Sequence, residues 1–404
     1  MKKSFWLLIG LLTMLMGCSA GETAVSPTTV PTTAPTIQPT AVPTDPPPTP
    51  EPTPLPAATE TAVPQETFFT TTIAAPSLAE NLLGEPAERE IAVYLPPSYY
   101  ATTSRYPVIY YLAGFEEALG DSYTLRSLMD TMVADNSVQE MIIVETSGDN
   151  LLGGSFYVNS PVTGNWEDFV VGDLVAYTDA NFRTIPTPAS RGIAGFSMGG
   201  FGALNLAMRH PDIYGAVYAL SPGLFAPDGL ANSQMFASNT VTESFLALEE
   251  ELASLPRDEA QAQFLNWARS SHGDLGFTVA YGAAFAPNPE KNAPYIDFPY
   301  AASDGPVDEA IWQRWESGFG GVTDEVAAYQ DNFRQLRGIV IDYGTRDPYR
   351  WIPVGCDFLS AELTAAGIPH KLLTFAGGHG NLVGRAREVM LPFFSGVLQA
   401  ESAE

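Results

Sequence analysis

RGIAGFSMGGF, residues 191–201, is the stretch that decides the fold. Its centre, residues 195–199, reads G-x-S-x-G, with the apolar pair Ile193-Ala194 before it and a helical pattern over residues 201–208 after it. A strand, a sharp turn and a helix in this order are typical of a nucleophile elbow, which exposes a serine Oγ at a helix N-terminus. The glycines suit so tight a turn because a Cβ would meet neighbouring backbone. The pattern predicts Ser197 as a nucleophile; a structural serine in a glycine-rich turn is the alternative.

Apolar runs and helical patterns alternate on both sides of this turn. Apolar runs lie at residues 106–112, 141–144, 216–220, 338–343 and 371–375, and helical patterns at 124–133, 166–182, 354–366 and 383–398. Runs that are apolar on both faces and alternate with helices indicate a parallel sheet covered on both sides. Two stretches of strand composition, 68–74 and 90–95, suggest an antiparallel start. The predicted class is therefore α/β, in the order of an α/β-hydrolase, with a mostly parallel central sheet and helices on both faces.

One long region interrupts the alternation. Residues 222–337 stand where a single crossover would suffice, and the segments 242–255 and 259–269 have clear helical patterns. An insertion of this size is commonly a cap or a substrate-recognition region. We predict a helical, cap-like insertion before the strand that leads to the candidate acid; an elaborated crossover is the alternative.

The N-terminal segment resembles a bacterial lipoprotein signal. Residues 1–3 (MKK) are positive, residues 5–16 form an apolar run too short to span a bilayer, and LMGCS follows at residues 15–19. The resemblance implies a signal peptide over 1–17, lipidation of Cys18, and an exported protein anchored to the outer face of the cell membrane. An ordinary secretory signal is the alternative. Residues 18–66 are rich in Pro and Thr and predict a disordered tether, so the catalytic domain is expected over 67–404.

Composition limits the classes of partner. The chain has 404 residues, with 19 Lys and Arg against 46 Asp and Glu, and a formal net charge of -27. This surface argues against nucleic-acid binding and against electrostatic attraction to anionic lipid. The two cysteines, Cys18 and Cys356, neither make a disulfide framework nor show metal-ligand spacing. We expect no metal and no cofactor.

A serine nucleophile needs a general base, and there are four histidines. His379 lies in a glycine-rich loop, AGGHG, directly after the last apolar run, where a fold with its site at the strand carboxyl ends places the base. His210 precedes a proline at a helix end, His370 opens a strand pattern, and His272 lies in the insertion. We predict His379 as the base, with the others as alternatives.

The base needs an acid that orients it. Asp347 follows the run GIVIDY at 338–343, in the loop GTRDP, whereas Asp342 lies inside that run. Ser197, Asp347 and His379 occur in the chain order of an α/β-hydrolase triad, so we predict Asp347 as the acid and rank Asp342 second. The oxyanion that forms on the substrate needs backbone donors. The N–H groups of Met198 and Phe115 are the candidates.

Several stretches together resemble the esterase D group of α/β-hydrolases, which includes S-formylglutathione hydrolases, feruloyl esterases and mycolyltransferase antigens. They are YPVIYYLAGF at 106–115, SFY at 155–157, NWEDF at 165–169, the elbow segment at 191–211, SPG at 221–223 and GGH at 377–379. The resemblance implies the triad Ser197, Asp347 and His379, with Phe115 and Met198 at the oxyanion hole. Many members carry His-Gly where this chain has Ala113-Gly114.

The expected function is an exported serine esterase acting on a small ester or an acylated carbohydrate through an acyl-serine. An acyltransferase with the same triad is one alternative. A non-catalytic surface binding protein on the same scaffold is another, and a peptidase is a weaker one. The insertion matches no substrate-specific subgroup, so the resemblance implies no particular ester.

Overall fold

A computed structural model describes residues 65–401. The expected signal peptide, the lipidation site Cys18 and nearly all of the expected tether lie outside these residues. No helix within 65–401 combines the length and apolar character that crossing a membrane requires.

An eight-stranded sheet forms the centre of the described chain. Its strands are β1 (Phe68–Ala74), β2 (Glu88–Tyr94), β3 (Val108–Leu112), β4 (Ile142–Thr146), β7 (Arg191–Phe196), β8 (Ala216–Leu220), β9 (Gly338–Gly344) and β10 (Lys371–Phe375). They lie in the order β1-β2-β4-β3-β7-β8-β9-β10, in which the β1–β2 and β2–β4 pairs are antiparallel and the remaining pairs are parallel. A separate short ladder pairs β5 (Asn159–Ser160) with β6 (Gly164–Asn165). The predicted fold class, with its antiparallel start, is confirmed.

Helices cover both faces of the sheet. They are α1 (Asp121–Ala134), α2 (Trp166–Asp168), α3 (Val175–Asn181), α4 (Met198–Arg209), α5 (Asn239–Ala253), α6 (Arg257–Ala268), α7 (Gly273–Phe285), α8 (Glu309–Phe319), α9 (Val322–Phe333), α10 (Trp351–Ala365), α11 (Leu382–Arg385) and α12 (Leu391–Val397). Two wider π turns, Phe169–Leu174 and Ala386–Met390, join α2 to α3 and α11 to α12.

Strand β3 shows why its sequence is apolar throughout. Successive side chains of a strand point to opposite faces, and here Tyr110 joins the core beneath α4, while Ile109 and Tyr111 join the core beneath α1 and α12. All three residues are buried. A strand covered on both faces therefore has no position for a solvated side chain.

The inserted residues 222–337 contribute helices α5 to α9. Their buried aromatic residues, such as Tyr281, Trp315 and Phe319, belong to the same core cluster as α4 and one face of the sheet. The last of these helices, α9, packs against α4 and α10. The insertion thus shares the core of the domain and reaches the carboxyl edge of the sheet.

Candidate active site

Ser197 stands at the turn between β7 and α4 in a left-handed backbone conformation, with φ 55° and ψ -115°. A Cβ on Gly195 would lie 2.2 Å from the Gly199 oxygen, and one on Gly199 would lie 2.0 Å from the Leu112 oxygen. Only glycine fits at either position. This turn places the Ser197 side chain at the N-terminus of α4 and the carboxyl edge of the sheet.

The structure brings the three predicted triad residues into one hydrogen-bonded relay. The Nε2 of His379 is 2.9 Å from the Oγ of Ser197, and its Nδ1 is 2.7 Å from the Oδ2 of Asp347. With Nδ1 protonated toward the carboxylate, Nε2 is free to accept the serine proton. Ser197 and His379 are 182 residues apart in the chain, so it is the fold that brings them together.

His379 is held on several sides. Its imidazole contacts the rings of Phe196 and Tyr349, each with its centroid 4.9 Å away. Its backbone oxygen accepts a 2.7 Å hydrogen bond from the Oγ of Ser221. These contacts fix the ring in front of Ser197.

Asp347 is fully buried, and its second carboxylate oxygen also has a partner. Its Oδ1 accepts a 2.9 Å hydrogen bond from the backbone N–H of Tyr349, while its Oδ2 faces His379. Asp342, the second-ranked acid, is buried elsewhere and pairs with Arg385 and with the hydroxyl of Tyr218, each at 2.7 Å. It does not contact His379 through its side chain in the described hydrogen-bond network.

The other three histidines have partners away from Ser197. His210 pairs with Glu167 at 2.7 Å. His370 contacts the Ser360 hydroxyl and a nearby backbone oxygen. His272 pairs with Glu116 at 2.9 Å and is largely exposed. Among the four histidines, all of which lie within residues 65–401, only His379 has a hydrogen bond to Ser197.

The two predicted oxyanion donors flank the same space. Phe115 and Met198 both line the cavity at Ser197. In the loop after β3, the N–H of Gly114 donates to Glu117 and the N–H of Glu116 donates to the Gly153 oxygen. Within the described residues, the Phe115 N–H has no such partner. A backbone N–H without a protein partner in a polar cleft is available to a ligand.

A cavity of about 220 Å³ opens over the relay. Aromatic side chains form much of its wall, and residues of the insertion supply part of it. Its lining includes Phe277, Phe319, Tyr349, Trp351 and Gln234. The Trp351 indole N–H donates to the Gln234 oxygen at 3.1 Å, and among the described residues the amide NH2 of Gln234 has no hydrogen-bond partner.

The charged groups of this cavity are acidic. Glu116, Glu117 and Asp274 line it, and no Lys or Arg is among its described lining residues. Burial raises the pKa of Glu117, although the Gly114 N–H works in the opposite direction. An anionic substrate group would therefore lie among like charges without a counter-ion.

Sequence reasoning did not find Glu117, Gln234, Tyr349 or Trp351. The first follows the predicted oxyanion donor by two residues, and Tyr349 and Trp351 follow the predicted acid closely. For Glu117, Tyr349 and Trp351, the sequence signal that could have found them is thus their closeness to a predicted site residue. Gln234 lies in the insertion and carries no local signal. Within residues 65–401, no group of three or more His, Cys, Asp or Glu side chains is arranged to hold a metal ion.

Comparisons with known proteins agree with this fold and identify a family. The model of the Esterase family, described as "Putative esterase", matches residues 85–380. Two curated proteins of Mycobacterium tuberculosis, Esterase MT1326 of strain CDC 1551 / Oshkosh and Esterase Rv1288 of strain ATCC 25618 / H37Rv, are each 27% identical over 305 residues. The match covers 72% of this chain and 52% of each relative, so the chain spans about half the length of these relatives.

A solved structure titled "ferulic acid esterase" has a TM-score of 0.52 to this chain at 20% identity, covering 82% of this chain and 98% of the other. This likeness shows the shared fold. The protein is thus an α/β-hydrolase in its architecture. From the family match, it belongs to the Esterase family, which confirms the resemblance predicted from the elbow and its neighbouring motifs.

Proposed function

We propose that this chain is a serine carboxylic ester hydrolase that works through an acyl-serine intermediate. The observation that supports it most directly is the relay from Asp347 through His379 to Ser197, at 2.7 Å and 2.9 Å. A serine on a strained turn, a base within hydrogen-bond reach and a buried acid behind that base are the parts that acyl transfer requires.

The chemistry follows from these positions. As Ser197 Oγ attacks the ester carbonyl, His379 Nε2 takes its proton, and the buried Asp347 carboxylate stabilises the imidazolium. The Phe115 and Met198 N–H groups receive the oxyanion of the tetrahedral intermediate. His379 then returns the proton to the departing alcohol and activates a water that releases the acid.

The lining of the cavity supports a substrate class. Aromatic rings such as Phe277 and Trp351 favour an apolar or flat group, and the Gln234 amide NH2 offers one hydrogen bond. The carboxylates, with no Lys or Arg among the lining residues within 65–401, disfavour an anionic group. We therefore propose a small, uncharged ester, with an acylated carbohydrate as one member of this class.

The cellular location is a separate proposal, resting on the sequence at residues 1–19 alone. We propose export and lipidation of Cys18. Mass spectrometry of the purified full-length protein would detect a diacylglyceryl group on Cys18, and Cys18→Ala should abolish it. An N-terminus that is processed without lipid would reject the anchor and leave the esterase proposal untouched.

The test of function is hydrolysis of p-nitrophenyl esters, from acetate to decanoate, by the full-length protein beside Ser197→Ala. We expect turnover for the parent and a loss of at least about a thousandfold in the variant. A fluorophosphonate should label the parent at Ser197 and leave the variant unlabelled. A folded parent with neither turnover nor labelling would reject the proposal and favour a binding protein. Ester products formed with an added alcohol would instead indicate acyl transfer.

A further inference from the structure

One peptide unit in the loop after β3 is held at both of its polar atoms. The carbonyl oxygen of Ala113 accepts a 2.8 Å hydrogen bond from the hydroxyl of Tyr157, and the N–H of Gly114 donates a 2.8 Å hydrogen bond to Oε2 of Glu117. These two atoms belong to the peptide that joins Ala113 to Gly114. A peptide is planar, so two bonds on opposite sides fix its orientation.

Tyr157 is built rigidly into this position. Its side chain is fully buried, and its backbone and that of Phe156 are both left-handed, with φ 55°. A Cβ on Gly202 of α4 would lie 2.6 Å from the ring, and one on Gly148 would lie 2.8 Å from it. The ring is therefore packed between the elbow helix and the loop after β4. Two consecutive non-glycine residues at positive φ persist only where surrounding structure imposes them.

The Tyr157 hydroxyl has one proton and uses both of its hydrogen-bonding roles. It accepts the Gly148 N–H at 2.9 Å, and its proton points to Ala113, whose oxygen at 2.8 Å is much closer than that of Thr146 at 3.5 Å. Glu117 is anchored in turn, because its own backbone oxygen accepts a 2.5 Å hydrogen bond from Ser147. The ring of Tyr157 and the backbone of Glu117 are thus both held by the fold.

The next N–H along the chain is that of Phe115, the proposed oxyanion donor. Only two dihedral angles lie between one peptide and the next, so holding one peptide narrows the directions open to its neighbour. On the far side, the N–H of Glu116 donates to the Gly153 oxygen at 2.7 Å. The Phe115 N–H therefore lies between two peptides that cannot easily rotate.

We propose that Tyr157 and Glu117 are positioning residues that aim the Phe115 N–H at the oxyanion by holding the Ala113–Gly114 peptide. The proposal rests on the esterase function proposed above. Neither residue needs to contact the reacting atoms for this role. Their contribution is preorganisation, which acts on the transition state more than on the bound substrate.

The test compares Tyr157→Phe, Glu117→Met and Glu117→Gln in the full-length protein. Tyr157→Phe and Glu117→Met each remove one bond to the peptide, whereas Glu117→Gln keeps an oxygen that can accept the Gly114 N–H. Tyr214→Phe is the matched control, because Tyr214 is also fully buried and its hydroxyl also donates to a backbone oxygen, that of Val170 at 3.2 Å. Tyr214 lies just before β8, at the opposite edge of the sheet from Ser197.

Since removing an oxyanion donor outright costs about a hundredfold to a thousandfold in kcat, we expect a misaimed donor to cost at least about tenfold. Tyr157→Phe and Glu117→Met should lower kcat by this factor with KM changed less than about threefold. The affinity for a trifluoromethyl ketone, whose adduct with Ser197 carries an oxyanion, should fall in parallel. Glu117→Gln should recover most of the kcat that Glu117→Met loses, and Tyr214→Phe should stay within about threefold of the parent. The double variant of Tyr157 and Glu117 should lose less than the product of the single losses, because both act on one peptide.

Other outcomes would overturn the proposal. Equal losses in Glu117→Gln and Glu117→Met would assign the role of Glu117 to its charge near His379, not to the peptide. If Tyr214→Phe lowers kcat as much as Tyr157→Phe does, Tyr157 only stabilises the fold. The same conclusion follows if Tyr157→Phe lowers kcat without weakening the binding of the ketone. Thermal unfolding of each variant shows whether it is folded, and Glu117→Gln remains informative if another variant fails to fold. Failure of the esterase function itself is distinguishable from failure of this proposal. In that case the parent would show no more ester turnover than Ser197→Ala, whatever the other variants do.

Discussion

Asp347 and Asp342 lie five residues apart, and their replacement by asparagine should have opposite effects. In Asp347→Asn the amide keeps the shape of the carboxylate. Its oxygen remains paired with the Tyr349 N–H, which can only donate, so the amide NH2 faces His379 Nδ1. The imidazole then carries its proton on Nε2 and cannot accept the Ser197 proton. The corresponding change in a Ser-His-Asp protease lowers kcat about 10⁴-fold, or ~5.5 kcal/mol in the barrier.

Asp342→Asn acts on stability instead. The Asp342 carboxylate is fully buried and accepts 2.7 Å bonds from both Arg385 and Tyr218. Removing one member of a buried ion pair costs about 3–5 kcal/mol. We expect the lower end, ~3 kcal/mol, because Arg385 keeps a 3.1 Å contact with the exposed Glu388. The remaining folded protein should keep kcat within about threefold of the parent.

The assay measures kcat on a p-nitrophenyl ester and the free energy of unfolding in urea for the parent and both variants. Asp347→Asn should lose turnover with a small change in the free energy of unfolding. Asp342→Asn should lower the free energy of unfolding with a small change in kcat. If Asp342→Asn loses more turnover than Asp347→Asn while still folded, Asp342 is the acid and the assignment of Asp347 is wrong.

Three further predictions follow from other parts of the structure. Burial raises the pKa of Glu325 to about 7, so the native state keeps a proton that the unfolded chain loses, and stability should fall as pH rises from about 4.5 to about 7. Glu325→Gln should remove this loss, which raises the free energy of unfolding at pH 8 by ~1–3 kcal/mol, given the partial exposure of the side chain. If urea unfolding shows the same change in stability between pH 5 and pH 8 for the parent and the variant, the prediction is wrong. A sulfonated aryl butyrate should be hydrolysed with kcat/KM about tenfold or more below that of its neutral counterpart. Asp274→Asn should reduce this ratio of kcat/KM values between the neutral and the sulfonated ester. An unchanged ratio would show that Asp274 does not act on substrate charge. Gly202→Ala should displace the Tyr157 ring, since its Cβ would lie 2.6 Å from that ring, and should lower kcat with a reduced melting temperature; a variant with parental values of both would show that the ring has room to move.

The middle of the sheet was predictable from sequence because strands such as β3 and β8 are buried along their whole length and read as unbroken apolar runs. Helices α7, α8 and α9 of the insertion were not individually predicted. Helix α7 is buried nearly all round, with Gly, Ala and aromatic residues on every side. A helix of this kind has almost no polar face, so it lacks the periodicity by which a surface helix is recognised.

The candidate site divides in the same way. Ser197 was predictable because the elbow is local, and the clashes that require Gly195 and Gly199 arise within one turn and the adjacent strand. Gln234 carried no such signal, and Tyr157 belongs to the matching motif SFY, which indicated no role for its hydroxyl. Their places depend on contacts with Trp351 and Ala113, which lie 117 and 44 residues away along the chain.

The sequence by itself determined the alternation of strands and helices, the strained serine turn and a short set of candidate bases and acids, because each depends on sterics and burial among near neighbours. The tertiary structure alone decided that His379, and not His210, His272 or His370, meets Ser197, and that Asp347, and not Asp342, stands behind it. It also decided which side chains hold the loop after β3 and line the cavity. The physical reason is that these contacts depend on strand order and on the packing of the insertion, which short-range patterns do not encode.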